Sequence, residues 1–311
     1  RVEGRIYDHS LEVKTTGPAS KNPGTQYIGG SIDVATDDAG LNVVTVYFTY
    51  VTETTAKGNK NATYGVLNNI INSGKTVVAD SAENATMVRI DTALALNDFY
   101  SNRSGQEELV SAKRNSGGFV SIVNKLGDEG TRNTFEFDML INGVRMVEAD
   151  PERHIDNDYL IVKGAIFDFR NAILPVELVV KNEGGIKYFE GLDPSPSNLV
   201  FTKVWGKIES QTVVDKREEE SAFGEAAVKE YTRNVREWVI TGTSKPEAMY
   251  EIGDEEAGIT VEEVKKAMAD REVYLAEVKR RNDEYQASRA AAAPTAASNP
   301  AVSAQMGGFN F

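Results

Sequence analysis

The stretches QYIGGSIDV (residues 26–34) and NVVTVYFTYV (residues 42–51) decide the fold. Both are rich in β-branched and aromatic residues and alternate between apolar and polar positions, the pattern of half-buried strands. In the first, Ile28, Ile32 and Val34 face inward and Tyr27 outward. In the second, Val44, Val46, Phe48 and Tyr50 oppose Thr45, Tyr47 and Thr49, which makes Tyr47 an outward ring. Upstream, VEGRI (2–6) is a further strand: Val2, Gly4 and Ile6 share one face, and Arg1, Arg5, Tyr7 and His9 share the other with Glu3 among them.

The intervening TTGPASKNPGT (15–25) is a loop or hairpin tip. Downstream, TYGVLNNIINSG (63–74) predicts a short helix closed by Gly74, and TMVRIDTALALNDFY (86–100) one or two more strands. Residues 104–123 read as irregular. A second β unit begins near Thr134, with candidate strands in 135–148, 158–170, 174–180, 199–210 and 236–244. The charged piece EEESAFGEAAVKEY (218–231) is a hairpin tip or a short helix.

Residues 260–289 change character. Thr260 with Glu263 forms a capping-box signature, and Val261, Val264, Met268, Leu275, Val278 and Tyr285 then make one apolar stripe along a helix. The stripe packs on the β body; a coiled coil is the alternative, with Arg271 and Asn282 interrupting its heptads. From residue 290 on, Ala, Pro, Ser, Thr and Asn dominate, which predicts a disordered tail ending in the aromatic tip GGFNF, with Phe309 and Phe311. The expected organisation is a β domain over 1–125, a second over 134–245, the helix over 260–289 and the tail over 290–311.

The net charge of −13 argues against coating of nucleic acid by a basic surface, but it is uneven. Residues 1–125 hold twelve Lys and Arg against thirteen Asp and Glu, and the rest of the chain 22 against 34, so only the N-terminal part is near neutral. The absence of cysteine removes disulfides, thiolate metal sites and cysteine nucleophiles, and fits a reducing cytosol. No stretch approaches the roughly 18 apolar residues of a membrane span. No phosphate loop, GxSxG elbow or HExxH motif occurs, and His9 and His154 are far apart in sequence. The acidic runs at 217–220 and 254–256 read as solvated faces. No catalytic residue, metal site or cofactor is expected.

FTKVWGKIES (201–210) is the most informative chemical stretch. In a strand, Thr202, Val204, Gly206 and Ile208 share a core face, while Phe201, Lys203, Trp205 and Lys207 interleave rings and cations on the other. Single-stranded nucleic acid needs that mixture: bases stack on rings, at roughly 1–3 kcal/mol each, and cations meet phosphates. The alternative is that Phe201 and Trp205 are core, with lysine stems alongside. NDFYSNR (97–103) adds Phe99 and Arg103, and KRNSGGF (113–119) adds Lys113, Arg114 and Phe119. The candidate strand-binding set is therefore Arg5, Tyr7, Lys14, Tyr27, Tyr47, Phe99, Arg103, Lys113, Arg114, Phe119, Lys203, Trp205 and Lys207.

The order of features, a GRI strand, the glycine-split IGGSIDV, VTVYFTYV, a helix and more strands, resembles an OB-fold single-stranded DNA-binding protein of the divergent kind encoded by bacteriophages and prophages. The resemblance covers mainly residues 1–125 and extends to a second OB-like unit over 134–245. It implies a mainly β fold with an OB-fold-like barrel, a cytoplasmic location in a bacterial host, sequence-tolerant binding of single-stranded DNA in replication or recombination, and self-association as an option. It also implies that Phe309 and Phe311 recruit replication or recombination proteins, although the tips of that family are usually acidic before the final Phe and GGFNF is not. The alternative function is a structural or assembly protein of a virion.

Overall fold

The computed structural model describes residues 1–18, 20–103, 105–150, 153, 155–219, 227–244 and 260–292. The chain is mainly β, built as two closed five-stranded rings followed by a long helix.

The first ring contains β1 (Val2–His9), β3 (Gln26–Ala35), β4 (Val43–Thr52), β5 (Met87–Ser101) and β6 (Glu108–Ile122); β2 (Glu12–Thr15) pairs on the outside of β3. The strands run in the order β1-β5-β6-β4-β3, and pairing of β1 with β3 closes the ring. β1 is antiparallel to β3 and to β5, β3 is antiparallel to β4, and β4 and β6 are parallel. Helix α1 (Ala62–Ser73) follows β4, with α2 (Val77–Asp80) after it. Asn61 caps α1 by accepting a hydrogen bond from the Thr63 amide, and a Cβ at Gly74 would lie 2.6 Å from the Ile70 carbonyl, so only glycine closes that turn.

The second ring repeats the plan. β7 (Thr134–Val147), β8 (Tyr159–Phe167), β9 (Ile173–Val180), β10 (Val200–Glu219) and β11 (Ala227–Thr243) close in the order β10-β11-β9-β8-β7, with β9 and β11 parallel and α3 (Glu183–Gly191) after β9. A Greek-key ring with one parallel pair and a helix after its third strand is the OB arrangement, and the chain carries it twice. The expected fold class holds.

Two expectations need correction, and one open alternative is settled. The segment taken as irregular is β6, a regular strand whose inner face must admit Gly117, because a Cβ there would sit 2.3 Å from the Phe48 ring. Tyr50 is exposed rather than on the core face, because a register shift between Ile28 and Gly30 opposes two steps of β3 to three of β4 and reverses the alternation. Phe201 is buried beneath helix α4 (Val261–Ala292), although its strand neighbours Lys203 and Trp205 are open. The piece 218–231 falls partly in β10 and β11, which pair as far as Glu219 with Ala227.

The core of both rings is one continuous cluster running from Val2 and Ile6 through Val46 and Leu94 to Val204, Ile208 and Trp238. The rings are joined by backbone: the Thr134 amide donates to the Arg1 carbonyl. The Asn42 amide group donates to the Ile208 carbonyl and accepts from the Ser210 amide. Contacts group Arg1–Asn97 with Ser111–Arg271 as one compact unit. Within it, Val264 of α4 packs on Leu140 and Phe201, and Ala267 on Ala165 and Ile173. Thr260 and Glu263 form the expected capping box. Met268 and Tyr285, placed on the buried stripe from sequence, are exposed, because the seam runs through Val264 and Ala267.

A second unit combines Asp98–Val110 with the chain from Glu272 on. In it Lys279 binds Glu107 and Asp283 and lies over the Tyr100 ring, and Asn282 donates to Glu107. No helix among the described residues is long and apolar enough to cross a membrane.

Candidate nucleic-acid interface

The outer face of β3, β4 and β6 in the first ring gathers rings and cations. The register shift that exposes Tyr50 brings its ring against that of Tyr27, with centroids 4.7 Å apart and planes tilted by 42°. Tyr50 keeps 49% of its surface open. Lys14 of β2 stands opposite Tyr27, but its ammonium is 3.4 Å from Glu12.

Further along β4, Tyr47 is half-buried. Its hydroxyl accepts from Arg236 Nη1 at 3.3 Å, and Arg236 Nη2 donates to Thr45 Oγ1 at 3.1 Å. Arg236 comes from β11, so the second ring supplies a guanidinium to the face of the first. Among the described residues no carboxylate pairs with it. Pairing of Val46 with Asn115 and of Tyr47 with Ser116 sets Arg114 level with Thr45 on the same face. Arg114 Nε is buried without a hydrogen-bond acceptor, and so is Asp33 Oδ1 without a donor, on the residue opposite Thr45 from the other side. Buried polar atoms are seldom left unpaired, so this row expects water or ligand groups.

The structure therefore brings together Tyr27, Tyr47 and Arg114, with Lys14 at the margin. The other sequence candidates lie elsewhere. Arg5 is held 3.6 Å from Asp38, which Arg132 also binds at 2.6 Å. Tyr7 is exposed on β1, and Phe119 is 72% exposed on β6. Phe99 and Arg103 belong to the second unit. Phe309, Phe311 and His154 fall outside the described residues.

Trp205 and Lys207 lie at a different place, a cleft of about 500 Å3 between the rings, and Lys113 contacts one of its wall residues, Trp238. Trp205 and Lys207 line it together with Leu94, Phe135 and Trp238. Lys113 sits 5.3 Å from the Trp238 ring centroid and donates to the Glu177 carbonyl; burial pushes its pKa down. Lys207 is half-buried, and desolvation lowers its pKa too. Lys203 is tied to Glu136 at 3.1 Å, and that bond raises its pKa.

Tyr50, Arg236, Phe135 and Trp238 were not singled out from sequence. Strict alternation puts Tyr50 inside, and only the bulge reverses it. Arg236 reads as an ordinary outward charge of REWVITGTS, since its partners lie about 190 residues upstream.

The model of the YorF family matches residues 1–281, and the chain belongs to that family. No curated protein matches the chain.

Proposed function

We propose that this YorF-family protein is a non-catalytic, sequence-tolerant single-stranded DNA-binding protein that acts in phage DNA replication or recombination. One observation carries the reading: an aromatic pair, exposed Tyr50 against half-buried Tyr27, continues along β4 into a row with two guanidinium groups, Arg114 and Arg236, that form no ion pair with a described carboxylate. Rings give every base a stacking surface, and unpaired cations meet phosphates without reading base edges. The near-neutral first 125 residues allow a polyanion to approach here, while the acidic remainder discourages general coating. Phe309 and Phe311 would recruit replication or recombination proteins, as the aromatic tip behind an uncharged spacer suggests.

The test is a titration with fluorescently labelled oligo-dT at two salt concentrations, with duplex DNA as competitor. The expected result is tight binding at low salt that weakens as salt rises and resists the duplex. Absence of binding at low salt, or equal preference for duplex, overturns the reading, and particle-sized assemblies formed without DNA would favour a virion assembly role.

A further inference from the structure

We propose that the cleft between the two rings is a separate binding site for a planar ring bearing an anionic group, the chemistry of a nucleotide. At about 500 Å3 it falls within the size range of small-molecule sites. It is supplied by β7, β10 and β11 with a few residues of the first ring, and so stands apart from the β3–β4–β6 face.

Its walls are built for a flat apolar group. Trp205 is 40% exposed, and its indole lies against the backbone of Gly242: a Cβ there would come within 2.4 Å of Nε1. Gly206 admits the close approach of β11, because a Cβ would meet the Val239 carbonyl at 1.9 Å. The register shift at this point opposes one step of β10 to two of β11, which makes Thr241 a bulge residue on the cleft wall. Phe135 and Phe137 stack beside it with centroids 4.9 Å apart.

Its charge selects an anion. Lys207 reaches the cleft half-buried, and no described carboxylate pairs with it. Arg1 adds a second cation to the lining. The single carboxylate on the wall among the described residues, Glu136, is occupied by Lys203. A half-buried ammonium in a cleft that also exposes the Trp205 ring, with no described carboxylate as countercharge, is stabilised by an anion held close to that ring.

Both tryptophans of the chain, Trp205 and Trp238, line this cleft, so tryptophan emission reports on it, most directly through the exposed Trp205. The full chain is titrated with dTMP, with thymidine and with inorganic phosphate. A saturable emission change with dTMP is expected, with thymidine and phosphate at least tenfold weaker, and Lys207→Met weakening dTMP at least tenfold. Trp205→Phe keeps a ring and leaves Trp238 as reporter, so it should bind where Trp205→Ala does not. No saturable change with dTMP, equal titration by thymidine and dTMP, or wild-type affinity in K207M overturns the proposal. Unlabelled oligo-dT then separates two sources of the ligand: displacement of dTMP identifies a nucleotide of the bound strand, and simultaneous binding a free nucleotide, and both support the site. Oligo-dT binding is read separately by anisotropy, so loss of either reading leaves the other standing.

Discussion

The two rings share one strand order yet present opposite versions of the same face. On β3 and β4 of the first ring, the outward residues include exposed Tyr50 packed on half-buried Tyr27 and lie beside guanidinium groups that pair with no described carboxylate. On β8 and β9 of the second, the outward positions are closed. Ile161 and Val179 are buried, Lys163 is 3.4 Å from Glu177, and Ala165 lies under Ala267 of α4. Nearby Lys181 is shared by Glu209 and Glu237. A barrel wall is thus a neutral platform. Whether it can receive a ligand depends on which side chains are left without partners and whether a helix covers them. The second ring acts as a scaffold that lends Arg236 to the first and forms the wall of the cleft.

The largest effect is expected from breaking the scaffold. Alanine at Gly206 would drive a Cβ into the Val239 carbonyl, a backbone atom that cannot step aside. Overpacking of this kind costs about 3 kcal/mol. Gly206→Ala should lower the unfolding free energy measured in urea by that amount, and because the two rings share one core the loss should appear in a single transition. A biphasic curve would show that the rings unfold independently and that the first face does not depend on the second ring.

Next come the rings on the open face. Tyr27→Ala and Tyr50→Ala should each weaken oligo-dT binding by about 1–3 kcal/mol, the usual worth of one stacked base. Lys163→Ala, on the corresponding wall of the second ring, should leave it unchanged. Equal losses from all three variants would erase the distinction between the faces.

How far the fold was legible follows from these same residues. β1, β3 and β4 announce themselves because their inward positions are β-branched, and α1 because Asn61 and Gly74 bracket it. β6 does not, since its SAKRNSGG run has no apolar alternation; its place depends on pairing with β4, far upstream. The same limit applies to the site. Tyr27 and Tyr47 follow from alternation, but Tyr50 depends on a bulge that no local pattern reveals. Lys203 and Lys207 look equivalent in FTKVWGKIES, and only the neighbouring strand distinguishes them, by setting Glu136 beside one and not the other.

A smaller effect concerns the junction of the first ring with the segment that follows β6. Glu3 is buried, accepts from Arg89 Nε at 2.7 Å and from the Gly127 amide at 2.6 Å, and its pKa is lowered, chiefly by the Arg89 hydrogen bond. A carboxylate with a depressed folded-state pKa stabilises fully above its unfolded value and loses that contribution as pH falls through the folded one. The stability lead of the wild type over Glu3→Gln, read from urea midpoints, should therefore be constant near neutrality and shrink below about pH 4. A lead that persists unchanged into stronger acid would mean that packing, not charge, holds this junction.

The smallest expected effect separates paired from unpaired cations. Arg236 faces Tyr47 and Thr45 with no carboxylate partner among the described residues, whereas Lys203 has Glu136. A cation already neutralised releases no counterion when a strand binds; an unpaired one does. Arg236→Met should reduce the slope of log affinity against log salt by about one, and Lys203→Met should leave the slope as it is. If Lys203→Met flattens the slope instead, the strand exchanges Glu136 for phosphate, and the wall of the second ring belongs to the interface after all.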